Sequence, residues 1–125
     1  MQVITTQKAP AAVGPYSQAV RAGQFIYLSG QIPLDAQTGA LVDGGVAEQT
    51  EQIFANIEAV CAAAGGSLAH VVKATVFMTN LADFQTMNEV YARRFGDHKP
   101  ARSTIQVAAL PKGAQIEIEV VLYMG

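Results

Sequence analysis

Cysteine is almost absent: Cys61 is the only one among 125 residues, so no intrachain disulfide can form and the fold must be held by its own apolar core. Charge is scarce too. Charged residues make up 14% of the chain and apolar ones 50%, whereas about a quarter of an ordinary soluble domain is charged. So little polar surface covers a monomer poorly, and an oligomer is expected. Neither sign of charge dominates, because eight Lys and Arg face ten Asp and Glu for a net charge of −2. The electrostatic footprint of a nucleic-acid binder is therefore missing, and nucleic acid is not an expected partner. No run of about eighteen apolar residues occurs, nor does a basic start leading into an apolar segment, so neither a membrane span nor a leader is expected and the cytoplasm is the expected location.

Familiar catalytic signatures are missing as well. His70 and His98 are far apart, with Cys61 near neither, which leaves no zinc-like spacing and no expected metal. G-x-S-x-G, G-x-G-x-x-G and the P-loop pattern are absent, so the usual sequence support for a serine hydrolase, a Rossmann dinucleotide site or a phosphate-binding loop is lacking.

What is present reads as one domain over residues 1–125, since a chain this long buries roughly two thirds of its unfolded surface. Met1 to Gly14 contains Lys8, Ala9, Pro10 and a run of small residues, which suits an extended arm ending in a turn at Gly14-Pro15. Tyr16 to Arg21 and Gln24 to Gly30 read as a hairpin turning at Ala22-Gly23, with Phe25, Ile26, Tyr27 and Leu28 its β-rich segment. Turn formers crowd Pro33 to Gly45, predicting a loop. Between Val46 and Ala64, the residues Ile53, Phe54, Ile57, Val60, Cys61 and Ala64 make one helical stripe, stopped by Gly65-Gly66.

Val71 to Thr79 reads as a strand with Lys73 facing away from Val72, Ala74, Val76 and Met78. Asp83 to Phe95 predicts a second helix, striped by Phe84, Met87, Asn88, Tyr91 and Phe95 and closed by Arg93 and Arg94. Arg102 to Ala109 and Gln115 to Tyr123 complete the chain as strands expected to pair antiparallel through Leu110-Pro111-Lys112-Gly113. The expected class is α+β, a single mixed sheet of about six strands with two helices on one face. No internal repeat or low-complexity tract occurs.

The strand period of two places Arg102, Thr104 and Gln106 on one face of their strand. In the last strand Ile116, Ile118, Val120 and Leu122 form an apolar face, with Glu117, Glu119, Val121 and Tyr123 on the reverse. Helices on one side leave a polar, ionisable surface on the other. Either that surface is solvated, with cross-strand ion pairs worth about 0.2 to 1 kcal/mol each, or it packs on other copies. In the second case Arg102 and Glu117 share a cleft, where the arginine fork suits a carboxylate and the glutamate can deprotonate water. Cys61 lies on the first helical stripe and reads as core. The basic cluster Arg93, Arg94, His98, Lys99 and Arg102 has no companion stripe of exposed aromatics, and two of its members sit at a helix end.

Several strings in order, Gly14-Pro15-Tyr16-Ser17-Gln18-Ala19, Ser29-Gly30-Gln31-Ile32-Pro33, Val72-Lys73-Ala74-Thr75-Val76-Phe77, Pro100-Ala101-Arg102-Ser103 and Glu117-Ile118-Glu119, closely resemble the RidA/YjgF family. Asn56-Ile57, Asp83-Phe84, Asn88, Tyr91 and Leu110-Pro111 extend the likeness over essentially the whole chain. The resemblance implies a chorismate-mutase-like trimeric fold with three clefts between subunits. It also implies an enamine and imine deaminase that converts 2-aminoacrylate, 2-aminocrotonate or their 2-imino tautomers to 2-keto acids and ammonia without a cofactor. By position, Arg102 would bind the substrate carboxylate and Glu117 would position the attacking water. Tyr16, Ser29, Gly30, Asn88 and Pro111 would line or shape the cleft, with Ser29-Gly30 offering backbone contacts.

Two departures stand out. Thr104 occupies a position where many relatives carry cysteine, so it can hydrogen-bond to substrate but offers no thiol. Gly96-Asp97-His98-Lys99 is shorter than in some members. Two alternatives remain open at this point: a trimeric scaffold that binds small carboxylates or acts as a chaperone, and an RNA-cleaving inhibitor of translation, to which the acidic balance gives little support.

Overall fold

The computed structural model describes residues 1–125. Its six strands are β1 (Gln2–Ile4), β2 (Ala19–Ala22), β3 (Phe25–Leu28), β4 (Val71–Met78), β5 (Ala101–Gln106) and β6 (Ile116–Tyr123), and its two long helices are α1 (Val46–Ala63) and α2 (Phe84–Phe95). They form one mixed sheet in the order β1-β2-β3-β6-β4-β5. All neighbours are antiparallel except β4 and β5. A parallel pair needs a long crossover, and α2 supplies it.

The helices begin and end where local chemistry directs. The Glu48 carboxylate accepts from the Gly45 N–H at 2.8 Å, satisfying a free donor at the start of α1. Gly65 takes a left-handed φ of 85°, and the Gly66 N–H reaches back to the Cys61 carbonyl at 2.8 Å, closing the other end. The expected stripe of α1 is the core: Ile53, Phe54, Ile57, Val60 and Cys61 are fully buried, packed with Ile116, Ile118, Val120 and Leu122 of β6. Phe54 meets the Tyr91 and Phe95 rings of α2 edge-on at 5.8 and 5.5 Å. Arg94 then ties the helices together, bonding Glu51 at 2.9 Å and Glu58 at 2.8 Å. No helix is long and apolar enough to cross a membrane.

Four expectations need correction. The extended arm contains a strand, since Gln2, Val3 and Ile4 pair with Arg21, Val20 and Ala19. The first hairpin closes at Ala22 opposite Phe25, so Gly23-Gln24 is its turn. A register shift between Val71 and Lys73 puts Val71 in the core and leaves Val72 exposed, out of the row it was expected to share with Ala74.

The largest change concerns the last two strands, which do not pair with each other. Instead β6 enters between β3 and β4, while β5 takes the sheet edge. Both positions suit their sequences. Strand β6 alternates buried and open residues over eight positions and gains ladders on both sides, whereas β5 has no buried residue. The Pro111–Gly113 segment makes a 3₁₀ turn and not a hairpin, and Val107 ends β5 by donating to the Met78 carbonyl at 2.8 Å.

Candidate functional site

Beyond the end of β3 the chain stays beside β6. Gln31 and Ile118 exchange backbone hydrogen bonds of 2.8 and 3.1 Å, which lays Gly30 across Glu117. A Cβ built on Gly30 would stand 2.8 Å from the Glu117 carboxyl carbon, so only glycine fits without moving that side chain. Ser29 is fixed on the same stretch: its N–H donates to the Gln18 carbonyl at 3.0 Å and its hydroxyl to the Ser17 carbonyl at 2.6 Å. Burial, reinforced by the neighbouring Glu119 charge, holds the half-buried Glu117 carboxyl above the ordinary glutamate range.

One wall of this pocket is the N-terminal arm, held by a single buried amide. Gln18 Oε1 accepts from the Thr6 N–H at 2.7 Å, and its Nε2 donates to the carbonyls of Thr6 at 3.1 Å and Pro10 at 2.8 Å. Pro10, Val13 and Tyr16 thereby line one side, Ser29 and Gly30 lie with Glu117, and Pro111 and Lys112 border the rest.

Arg102 lies elsewhere. Register places it opposite Ala74, which in turn faces Val120, and both of those are buried under the helices. Its guanidinium accordingly reaches α2: Nη1 donates to Asn88 Oδ1 at 2.7 Å, and the charge lies 4.7 Å from the Tyr91 ring centre and 5.4 Å from that of Phe84. Thr104 follows the same parity, aligned with Val76. The hydroxyls of Thr104 and Tyr91 are both buried without a hydrogen-bond partner in this chain. Burial raises the Tyr91 phenol above its ordinary range, an effect the Arg102 charge partly opposes. Lys99 and His98 flank the same hollow, and His98 Nε2 lies 2.6 Å from the Val71 carbonyl.

Glu117 aligns with Phe77, and Phe77 with Ile105, on the open side of the sheet. The expectation that Arg102 and Glu117 share one face of a strand pair is therefore corrected. That expectation took β5 and β6 as direct neighbours, whereas β4 separates them. Within one chain the expected residues form two half-sites, Tyr16, Ser29, Gly30 and Pro111 around Glu117, and Asn88 and Thr104 around Arg102. Gln18, Gln31 and Lys112 also border the first half-site. Gln18 and Gln31 lie inside the strings that carried the resemblance, but nothing in a string separates a pocket wall from a core position.

The half-sites differ in chemistry. A carboxylate with a raised proton affinity, beside a backbone stripped of side chain, can take a proton from water. A guanidinium with one N–H committed to Asn88 keeps the rest of its fork for a carboxylate.

The sequence pattern of the family described as endoribonuclease L-PSP matches residues 6–124. A RutC family protein of Pyrococcus horikoshii is 50% identical over 122 residues, covering 98% of this chain and 97% of the relative. The 2-iminobutanoate/2-iminopropanoate deaminase of Homo sapiens is 51% identical over 124 residues, 99% of this chain and 90% of that protein. Among solved structures, RidA from the Antarctic bacterium Psychrobacter superposes with a TM-score of 0.95 at 53% identity, covering 98% of this chain and 99% of that one.

Proposed function

This chain belongs to the RidA/YjgF family, and from that premise we propose that it hydrolyses small 2-imino acids, with their enamine tautomers, to 2-keto acids and ammonia. The observation carrying this reading is the half-buried Glu117 carboxyl beneath Gly30, in a chain 51% identical to the human deaminase over 124 residues. The imine carbon is already electrophilic, so the protein has only to orient the substrate and activate water. Glu117 takes a proton from water as its oxygen bonds to that carbon and passes that proton to the nitrogen, giving a carbinolamine. It then takes the carbinolamine's hydroxyl proton and delivers it to the same nitrogen, which leaves as ammonia while the carbonyl forms. Arg102 holds the carboxylate through the part of its fork that Asn88 leaves free.

Because the two groups lie on opposite faces of the sheet, one chain does not present them to one substrate. A trimer in which Arg102 of one copy meets Glu117 of the next completes the site. The exposed side chains of Phe25, Tyr27, Ile105 and Tyr123 on the open face support such packing. Tyr16, Ser29, Gly30, Thr104 and Pro111 would shape the cleft, with the Gly30 N–H free to meet the substrate.

The test couples the purified protein to threonine dehydratase and threonine with semicarbazide, which traps the free imine. Trapping is expected to fall when the protein is added and to recover fully with Arg102→Ala. If trapping is unchanged for both threonine-derived and serine-derived imines while a 2-keto acid still binds, the molecule is a small-carboxylate-binding protein.

A further inference from the structure

Lys112 is the one non-glycine residue with a positive φ, at 58° and ψ 18°. Glycine takes that conformation freely, while a side chain makes it less favourable. The neighbouring Gly113, at φ 75°, shows that this turn already uses glycine where it can. A lysine kept in such a place points to a use for its side chain. Lys112 borders the Glu117 pocket and is the only cationic residue lining it with Glu117 and Glu119, while Lys73 shares the adjoining hollow with Glu119. The Lys112 ammonium is not neutralised by either glutamate, since no salt bridge forms there, and its one bond is a long 3.3 Å contact to the Gly39 carbonyl.

The reaction requires a negatively charged substrate to approach two glutamates. Left alone, their field repels a 2-imino carboxylate from the carbon Glu117 must serve. We propose that Lys112 is a substrate-capturing residue, offsetting the Glu117–Glu119 field at the mouth of the pocket and favouring monoanionic 2-imino acids over their neutral counterparts. This rests on the deaminase reading. Arg102 fixes the carboxylate in the bound complex, whereas Lys112 governs how readily the anion enters, a task that needs a flexible cation at a rim and no fixed geometry.

The experiment compares Lys112→Gln, Lys112→Glu and Lys112→Gly with the wild type, measuring imine hydrolysis at several salt concentrations and binding of 2-oxobutanoate by calorimetry. Removing one charge is expected to raise KM by roughly three- to tenfold, and reversing it to raise KM by about the square of that factor, because the Coulomb term doubles. Rising salt should change the wild type least, speed Lys112→Gln, and speed Lys112→Glu most, because screening relieves the repulsion that Lys112 offsets. Lys112→Gly relieves the backbone, so it should match the wild type in Tm yet follow Lys112→Gln in KM. A wild-type KM and salt slope in Lys112→Glu would overturn the proposal. Should the wild type hydrolyse no imine, the deaminase reading fails, and 2-oxobutanoate binding still judges Lys112: unchanged affinity in Lys112→Glu rejects it.

Discussion

The backbone of Gly30 lies directly against the Glu117 carboxylate, with room for no side chain between them. Gly30→Ala should therefore turn the carboxylate out of place and leave the fold intact, since the neighbouring Gln31–Ile118 bridge is backbone alone. The expected result is a loss in kcat of about a hundredfold, the scale for a misplaced catalytic group, with an unchanged circular dichroism spectrum. A kcat within threefold of wild type would show that Glu117 need not sit where Gly30 holds it.

Asn88 commits one guanidinium N–H of Arg102. In Asn88→Ala the fork loses a guide and KM should rise several-fold. Asn88→Asp is the sharper variant, because a carboxylate at that position competes with substrate for the whole fork. Its KM should exceed that of Asn88→Ala, and 2-oxobutanoate binding should weaken in the same order. Equal values for the two variants would leave Asn88 only a packing role.

Glu117 binds its proton more tightly in the folded chain than its ordinary value of 4.5 implies. The sign follows: below that value the carboxyl is protonated in both states and adds no pH dependence. As pH rises from there through the higher folded value, ionising it costs the native state stability. Glu117→Gln should thus have the higher Tm at pH 7 to 8, with the gap closing near pH 4, while turnover is lost. Parallel Tm curves across that range would mean the carboxyl ionises normally.

Cys61 lies fully buried on α1, and burial pushes its thiol up to about 12. Thiol reagents should leave it untouched in the native protein and label it at the rate of unfolding. Fast labelling at pH 8 in native conditions would contradict that burial.

Periodicity alone located both helices, the apolar row of β6 and that of β4 from Ala74 onward, because buried faces impose it, but it missed the irregularity that buries Val71 and exposes Val72. It could not order the strands. Leu110 to Gly113 has the composition of a tight reversal, yet the residues flanking it part company, since β6 gains more from two ladders than from pairing with edge strand β5. The parity of Arg102 is set by β4, a strand it does not adjoin in sequence, so its face was illegible locally. Of the residues the family strings suggested for one cleft, Tyr16, Ser29, Gly30 and Pro111 border the hollow around Glu117, whereas Asn88 and Thr104 lie with Arg102 on the other side of the sheet. The strings said nothing of Lys112, whose signal is a backbone angle.

The split of Arg102 and Glu117 across the sheet carries a genetic consequence. In the trimer proposed above, Arg102→Ala and Glu117→Gln would each disable every cleft of a uniform assembly, but each damages a different face of the chain. If the two variants are unfolded together and refolded as a mixture, some clefts pair the sound arginine of one with the sound glutamate of the other. Two dead proteins should then recover activity on mixing, while either refolded alone stays silent. Sequencing two disabling alleles in one cell would, for the same reason, not be enough to declare the activity lost.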